Sequence, residues 1–230
     1  MRKIISILLV ILLTVSVPML VAAEEGNRCT ITVESVAGSP GGTVTVAVSI
    51  AEHPGFTNLA IALEYDKEKL TLQSIQPHPD EQSCLKGAQI STNLNWQDET
   101  GNSAAFLVSA SDVPVRDDGV LFTATFETSS EFLGETVVTP RVLYVRNNEA
   151  VFSVFEELHS ATVSGTVYSV PYGDINGDGI VEYNDVMLAY KAFLGQIELP
   201  LMQMGAADRD GNGTVDEWEY RLIYEIYLGG

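Results

Sequence analysis

Residues 174–195, DINGDGIVEYNDVMLAYKAFLG, and residues 208–229, DRDGNGTVDEWEYRLIYEIYLG, align without a gap and share eight of 22 positions. The identities are Asp174/Asp208, Gly177/Gly211, Gly179/Gly213, Val181/Val215, Leu188/Leu222, Tyr190/Tyr224, Leu194/Leu228 and Gly195/Gly229. Likeness at one fixed offset marks a duplicated unit. Each copy opens as D-x-[DN]-x-[DN]-G and carries a carboxylate at its twelfth position, the pattern of a calcium-binding loop.

Calcium takes about 6–8 oxygen ligands, which a 12-residue loop supplies from positions 1, 3, 5, 7 (through the backbone carbonyl), 9 and 12. In the first copy these are Asp174, Asn176, Asp178, the carbonyl of Ile180, Glu182 and Asp185. In the second they are Asp208, Asp210, Asn212, the carbonyl of Thr214, Asp216 and Glu219. Two bound Ca2+ ions are therefore expected. Gly179 and Gly213 fall at position 6, where the chain turns sharply and a side chain would obstruct it. A metal-free Gly-Asp-Asn turn would explain one such loop, but two in register, each completed at position 12, argue against it. Glu219 can offer both oxygens to an ion, whereas the shorter Asp185 is expected to offer one, so that the first loop binds more weakly or more flexibly.

A helix is expected behind each loop, over Asn184–Leu194 and Trp218–Leu228, closed by Gly195 and Gly229 just past its end. Leu188/Leu222 and Leu194/Leu228 are expected to form the shared buried frame. No helix is expected before the first loop, because SGTVYSVPYG reads as the end of a strand and a proline-containing linker.

Upstream the pattern changes to period two. In TVTVAVSI, Val44, Val46, Val48 and Ile50 alternate with Thr43, Thr45, Ala47 and Ser49, as a half-buried strand requires. Similar runs cover 31–36, 59–65, 70–75, 104–109, 120–127, 136–145, 151–155 and 161–167. About nine short strands separated by turn signals describe an all-β sandwich or jelly roll. One run places Leu59, Ile61, Leu63 and Tyr65 toward the core and leaves Asn58, Ala60, Ala62 and Glu64 as a flat outer face.

The amino terminus has Arg2 and Lys3, an apolar run and small residues at Val21 and Ala23, the marks of a secretory leader cut after Ala23. Retention of that run as an anchor is the alternative. Without Arg2 and Lys3 the 12 basic residues fall to 10 against 31 acidic ones, a formal charge of −21. Such a surface repels nucleic acid and anionic lipid and attracts divalent cations or a basic protein partner. Export permits Cys29 and Cys84 to form a disulfide worth about 4 kcal/mol on the chain-entropy estimate, but spacing cannot decide whether they meet.

Catalytic motifs are lacking. His53, His78 and His159 are scattered, with no HExxH spacing and no GxSxG elbow. A glycosidase needs only two carboxylates, so among 31 acidic residues no pair can be singled out. A sugar-binding face wants several planar aromatics, and the sandwich offers Trp96 with Tyr65 and Tyr144.

GSPGGTVTVAVSI, LEYDKEKLTLQSI, DDGVLFTATFET and VSGTV resemble the ordered landmarks of a cohesin, the jelly-roll receptor module of cellulosome-type assemblies. The resemblance implies that a dockerin-bearing protein is received on the sheet face holding Asn58, Ala60 and Ala62. The duplicated loop–helix and its connector QIELPLMQMGAA resemble a dockerin, the module that cohesins bind. That resemblance implies a cohesin-bearing partner for the tail, with contacts at loop positions 10 and 11, Tyr183-Asn184 and Glu217-Trp218. Many dockerins carry a Ser-Thr type pair there.

The expected organisation is a leader (1–23), a cohesin-like sandwich (24–167), a short linker (168–172) and a dockerin-like domain (173–230). The expected function is that of a non-catalytic adaptor in calcium-dependent cohesin–dockerin assembly, secreted, in solution or at the cell surface. The competing expectation is a polysaccharide-degrading enzyme or carbohydrate-binding sandwich brought to a complex by its dockerin.

Overall fold

A computed structural model describes residues 28–77, 84–86, 88–97, 103–109, 114–147, 156–157 and 159–229. The expected leader, the expected strand over 151–155 and His78 lie outside the described residues, as do the side chains of Trp96 and His159.

Two sheets form a sandwich. Its strands are β1 (Arg28–Val33), β2 (Val36–Gly38), β3 (Thr43–Ala51), β4 (Asn58–Glu64), β5 (Leu70–Pro77) and β6 (Gln89–Gln97). They continue as β7 (Ser103–Ser109), β8 (Gly119–Thr128), β9 (Gly134–Asn147), β10 (Glu156–Glu157), β11 (His159–Val163) and β12 (Gly165–Ser169). One sheet runs β11-β1-β3-β8-β5 and the other β2-β12-β9-β4-β7-β6, with β10 beside β9. The pairings are antiparallel except β1 with β11 and β2 with β12. The run expected over 161–167 is divided at Ser164, one half joining each sheet.

Alternation in β3 is complete: Val44, Val46, Val48 and Ile50 are buried and the residues between them are half-buried. Those side chains meet Ile31, Phe122 and Phe126 of their own sheet and Leu59, Ile61, Leu63, Val138, Val145 and Val167 of the facing one. Each such side chain contributes about 1.5–3 kcal/mol of burial.

Three helices follow: α1 (Tyr183–Phe193), α2 (Leu201–Ala207) and α3 (Glu217–Tyr227). Helices α1 and α3 begin and end one residue earlier than expected. Helix α2 forms within the stretch QIELPLMQMGAA, expected as a connector. The tail has its own small core of Ile175, Val186, Ala189, Ala206, Ala207, Val215 and Ile223. Leu194 and Leu228 do not belong to it. They stand at the helix ends, 45% and 64% exposed, whereas Leu188 and Leu222 are half-buried.

The expected linker is shorter than five residues, because β12 runs through Tyr168 and Ser169 and the Val170 N–H still donates to the Gly38 carbonyl at 2.9 Å. Among the described residues no helix is long and apolar enough to cross a membrane.

Candidate functional site

Both loops close around their first carboxylate. Asp174 accepts the amides of Gly177 (2.9 Å) and Asp178 (3.1 Å) on one oxygen and that of Gly179 (2.9 Å) on the other. Asp208 repeats this with Gly211 (2.7 Å), Asn212 (3.3 Å) and Gly213 (2.7 Å). Position 6 has φ +91° at Gly179 and +85° at Gly213, the left-handed region that side chains disfavour.

The position-12 carboxylates serve loop and helix together. Asp185 accepts from the amides of Asn176 and Glu182, each at 2.9 Å, the second being the residue that caps α1. Glu219 accepts from Arg209 (2.6 Å), Asp210 (3.3 Å) and Asp216 (2.9 Å), where Asp216 caps α3. A carboxylate at the third helical position that reaches back to the capping residue's amide fixes the helix start. The twelfth position of the calcium pattern thus doubles as the helix-starting position.

Asp185 and Glu219 are fully buried, and Asp174 and Asp208 nearly so. Burial pushes the carboxyls of Asp208 and Glu219 above their ordinary range. Backbone amides oppose this, from Gly213 and Gly211 at Asp208 and from Asp216 and Arg209 at Glu219, while Asp210 adds like charge at Asp208 and Asp208 does so at Glu219. Oxygens of Asp208, Asp210 and Glu219 lie within 4.8 Å of one another. Buried carboxylates forced together carry an electrostatic cost that a hard divalent cation offsets, so the donors fit calcium. In the first loop Asn176 stands where the second has Asp210, and Asp185 where it has Glu219.

A residue outside the calcium pattern braces the second loop. The Tyr172 hydroxyl donates to the Glu219 carbonyl at 3.2 Å, and the Arg209 guanidinium lies 5.1 Å from the Tyr172 ring centre. Burial, then the Glu219 charge, holds that phenol well above its usual value. Its only sequence signal is a tyrosine two residues before the first loop.

The expected docking residues of the tail are on the surface. Tyr183 is 59% exposed and Trp218 45%, so the indole belongs to the outside rather than to the small core. Asn184 and Glu217 are exposed too, bonded to Glu182 and Arg221 respectively. Around them α1 and α3 bear Tyr190, Tyr224 and Tyr227, all exposed.

On the sandwich the expectation needs correction. Ala60 and Ala62 are fully buried, so they are not part of an open face. The register sets Tyr144 beside Ala60 and Arg141 beside Ala62, and neighbours this large cover a small side chain lying between them. The accessible chemistry of this strip is Asn58, Glu64, Arg141, Tyr144 and Arg146, with Arg141 3.7 Å from Glu64 and Arg146 5.1 Å from the Tyr144 ring centre. Cys29 and Cys84 stand as separate thiols. Cys29 is buried, its pKa pushed up to about 11, and Cys84 donates to the Val120 carbonyl at 3.6 Å. His53 packs on Phe56 with Nε2 3.4 Å from Asp118, at one end of the sandwich.

A family model for the cohesin domain matches residues 29–152, more than half of the chain, and one for the dockerin type I domain matches residues 172–224. Among solved structures, the seventh ScaB type I cohesin of Pseudobacteroides cellulosolvens is 17% identical, with a TM-score of 0.51, covering 62% of this chain and 92% of that one. A chain from a type I cohesin–dockerin complex of Clostridium thermocellum is 20% identical, with a TM-score of 0.50, covering 63% and 100%. Identities this low speak to the fold alone. No curated protein sequence matches the chain.

Proposed function

The chain belongs to the cohesin family and carries a dockerin type I domain behind its cohesin domain, and from that pairing we propose a secreted, non-catalytic adaptor of cellulosome-type assemblies. The sandwich receives a dockerin-bearing protein, and the tail docks onto a cohesin-bearing one. Each of the two loops takes one calcium ion. The observation that carries this reading is the coexistence in one chain of a receptor sandwich and a duplicated carboxylate loop–helix whose tyrosines and tryptophan face outward.

On the sandwich, the strip of Arg141, Tyr144 and Arg146 beside Asn58 is the docking surface this reading favours. It sets aromatic and cationic groups on a strongly acidic molecule, and such residues dominate interface energetics. The tail's surface is the exposed face of α1 and α3 around Tyr183 and Trp218.

The full chain, immobilised and exposed to cohesin-bearing and dockerin-bearing proteins, tests the proposal. One of each should be retained, with capture of the cohesin-bearing protein abolished by chelator. Retention on cellulose, xylan or chitin with capture of neither protein would overturn it in favour of a carbohydrate-binding module.

A further inference from the structure

Sandwich and tail meet main chain to main chain. The Thr43 N–H, at the start of β3, donates to the carbonyl of Arg209 in the second calcium loop at 3.1 Å. A Cβ on Gly42 would stand 2.9 Å from that same carbonyl, and one on Gly211 would stand 2.3 Å from the carbonyl oxygen of Thr43. Helix α2 lies against β2. A Cβ on Gly205 would come within 2.6 Å of Ala37 Cβ and 2.7 Å of the Gly38 nitrogen. Side chains essentially never approach so closely, so the contact exists only because both surfaces are bare at these points. The Gly173 N–H donates to the Ala206 carbonyl at 2.8 Å, which ties the start of the first loop to α2 as well.

We propose that this contact is a built joint: α2 and the second loop form a permanent seat for β2 and the turn before β3, so that sandwich and tail are one rigid body. Strand β2 has three residues and ends its sheet, and an uncovered sheet edge invites pairing with other chains. Helix α2 is the cover. Its buried residues are Gly205, Ala206 and Ala207, the first facing the sandwich and the other two belonging to the tail's core. One short helix therefore joins the two cores. Among the described residues the joint touches the second loop and leaves the first without a main-chain contact to the sandwich, so there the sandwich holds the second calcium loop in shape and not the first. The two ends of the molecule then keep a fixed relative orientation, whatever each of them binds.

Alanine at position 205 makes the joint testable, because its two consequences have opposite sign. A helix free of the sandwich gains stability when glycine becomes alanine, whereas a helix seated on Ala37 is pushed off. Amide hydrogen exchange in the full calcium-loaded chain reads the joint directly at Thr43, with Val48, paired on both sides within its sheet, reporting the sandwich itself. We expect Thr43 to be protected in the natural sequence and to exchange at least about tenfold faster in Gly205→Ala, with Val48 unchanged. Exchange at Thr43 as fast as in an unstructured chain, or equal in both proteins, would overturn the joint. Should Gly205→Ala expose Val48 as well, the natural chain in chelator replaces it. Release of Thr43 with Val48 still protected supports the joint, and protection of Thr43 unaltered by chelator removes the coupling to the second loop.

Discussion

The two loop–helix copies share a frame and differ in their surroundings. In both, the first carboxylate gathers three amides and the twelfth starts the helix. The second copy has a longer carboxylate with three amide partners where the first has two, its inner acid at position 3 (Asp210) rather than at position 5 (Asp178), a tyrosine brace and a backbone bond to the sandwich. Substitutions within the repeat, together with contacts from outside it, therefore make the two carboxylate loops unequal. The second should be the tighter and more preorganised site, the first the more adaptable.

The comparison breaks outright if neither loop needs an ion. Asp174→Ala with Asp208→Ala should remove most of the helical circular dichroism contributed by α1 and α3 and leave the β signal, as chelation should, because binding and folding of such small modules are one event. A helical signal indifferent to both treatments would mean that the loops are only turns.

A smaller effect separates the copies. Glu219→Gln should weaken calcium binding on the order of 100-fold at its loop, where charge and a second oxygen are both lost, and Asp185→Asn about tenfold. Calorimetric titration of the full chain distinguishes them. Equal losses would mean that the surroundings do not matter to the metal.

Docking comes next. Against a cognate cohesin, Glu217→Ala with Trp218→Ala should cost about 2 kcal/mol, since an exposed indole is a strong anchor, and Tyr183→Ala with Asn184→Ala distinctly less. The copy seated on the sandwich would then be the one that leads in binding. Tolerance of either pair alone, with loss only when all four are changed, would show that the tail docks in two orientations.

What could be read from the chain was what is local in it. Glycines at φ beyond +70° and carboxylates spaced over twelve residues fix a loop by themselves, so the helix behind each loop was legible within one residue. Helix α2 was not, because Gly205 spoils its propensity and its place depends on Ala37, some 170 residues away in sequence. Strand β6, QISTNLNWQ, alternates Ile90, Leu94 and Trp96 with polar residues but is interrupted by Thr92, and β2 is too short to show an alternation. Ala60 and Ala62 carried the right period but not their neighbours. They lie on a central strand between β9 and β7, with Tyr144 and Arg141 beside them in the register, and no reading of one strand reveals those neighbours.

The smallest expected effect is that of pH on the calcium-free chain. Burial raises the pKa of Asp208 and Glu219 above the ordinary values of 3.8 and 4.5, so the folded second loop holds protons more tightly than the unfolded chain does. Protonation therefore favours the fold: that contribution is complete below the unfolded values and is lost as pH rises through the raised folded ones. Protons stand in, weakly, for the missing positive charge. Calcium-free protein prepared by exhaustive dialysis should regain part of the α3 helical signal near pH 5 relative to pH 7.5, equivalent to a rise of a few degrees in the tail's melting temperature. Saturating calcium should reverse the trend, because the ion must displace those protons and gains affinity as pH rises. A calcium-free tail that becomes less helical on acidification would show that the second loop's carboxylates are held by their amides rather than strained by burial, and the proposed inequality of the copies would then have to rest on the sandwich contact alone.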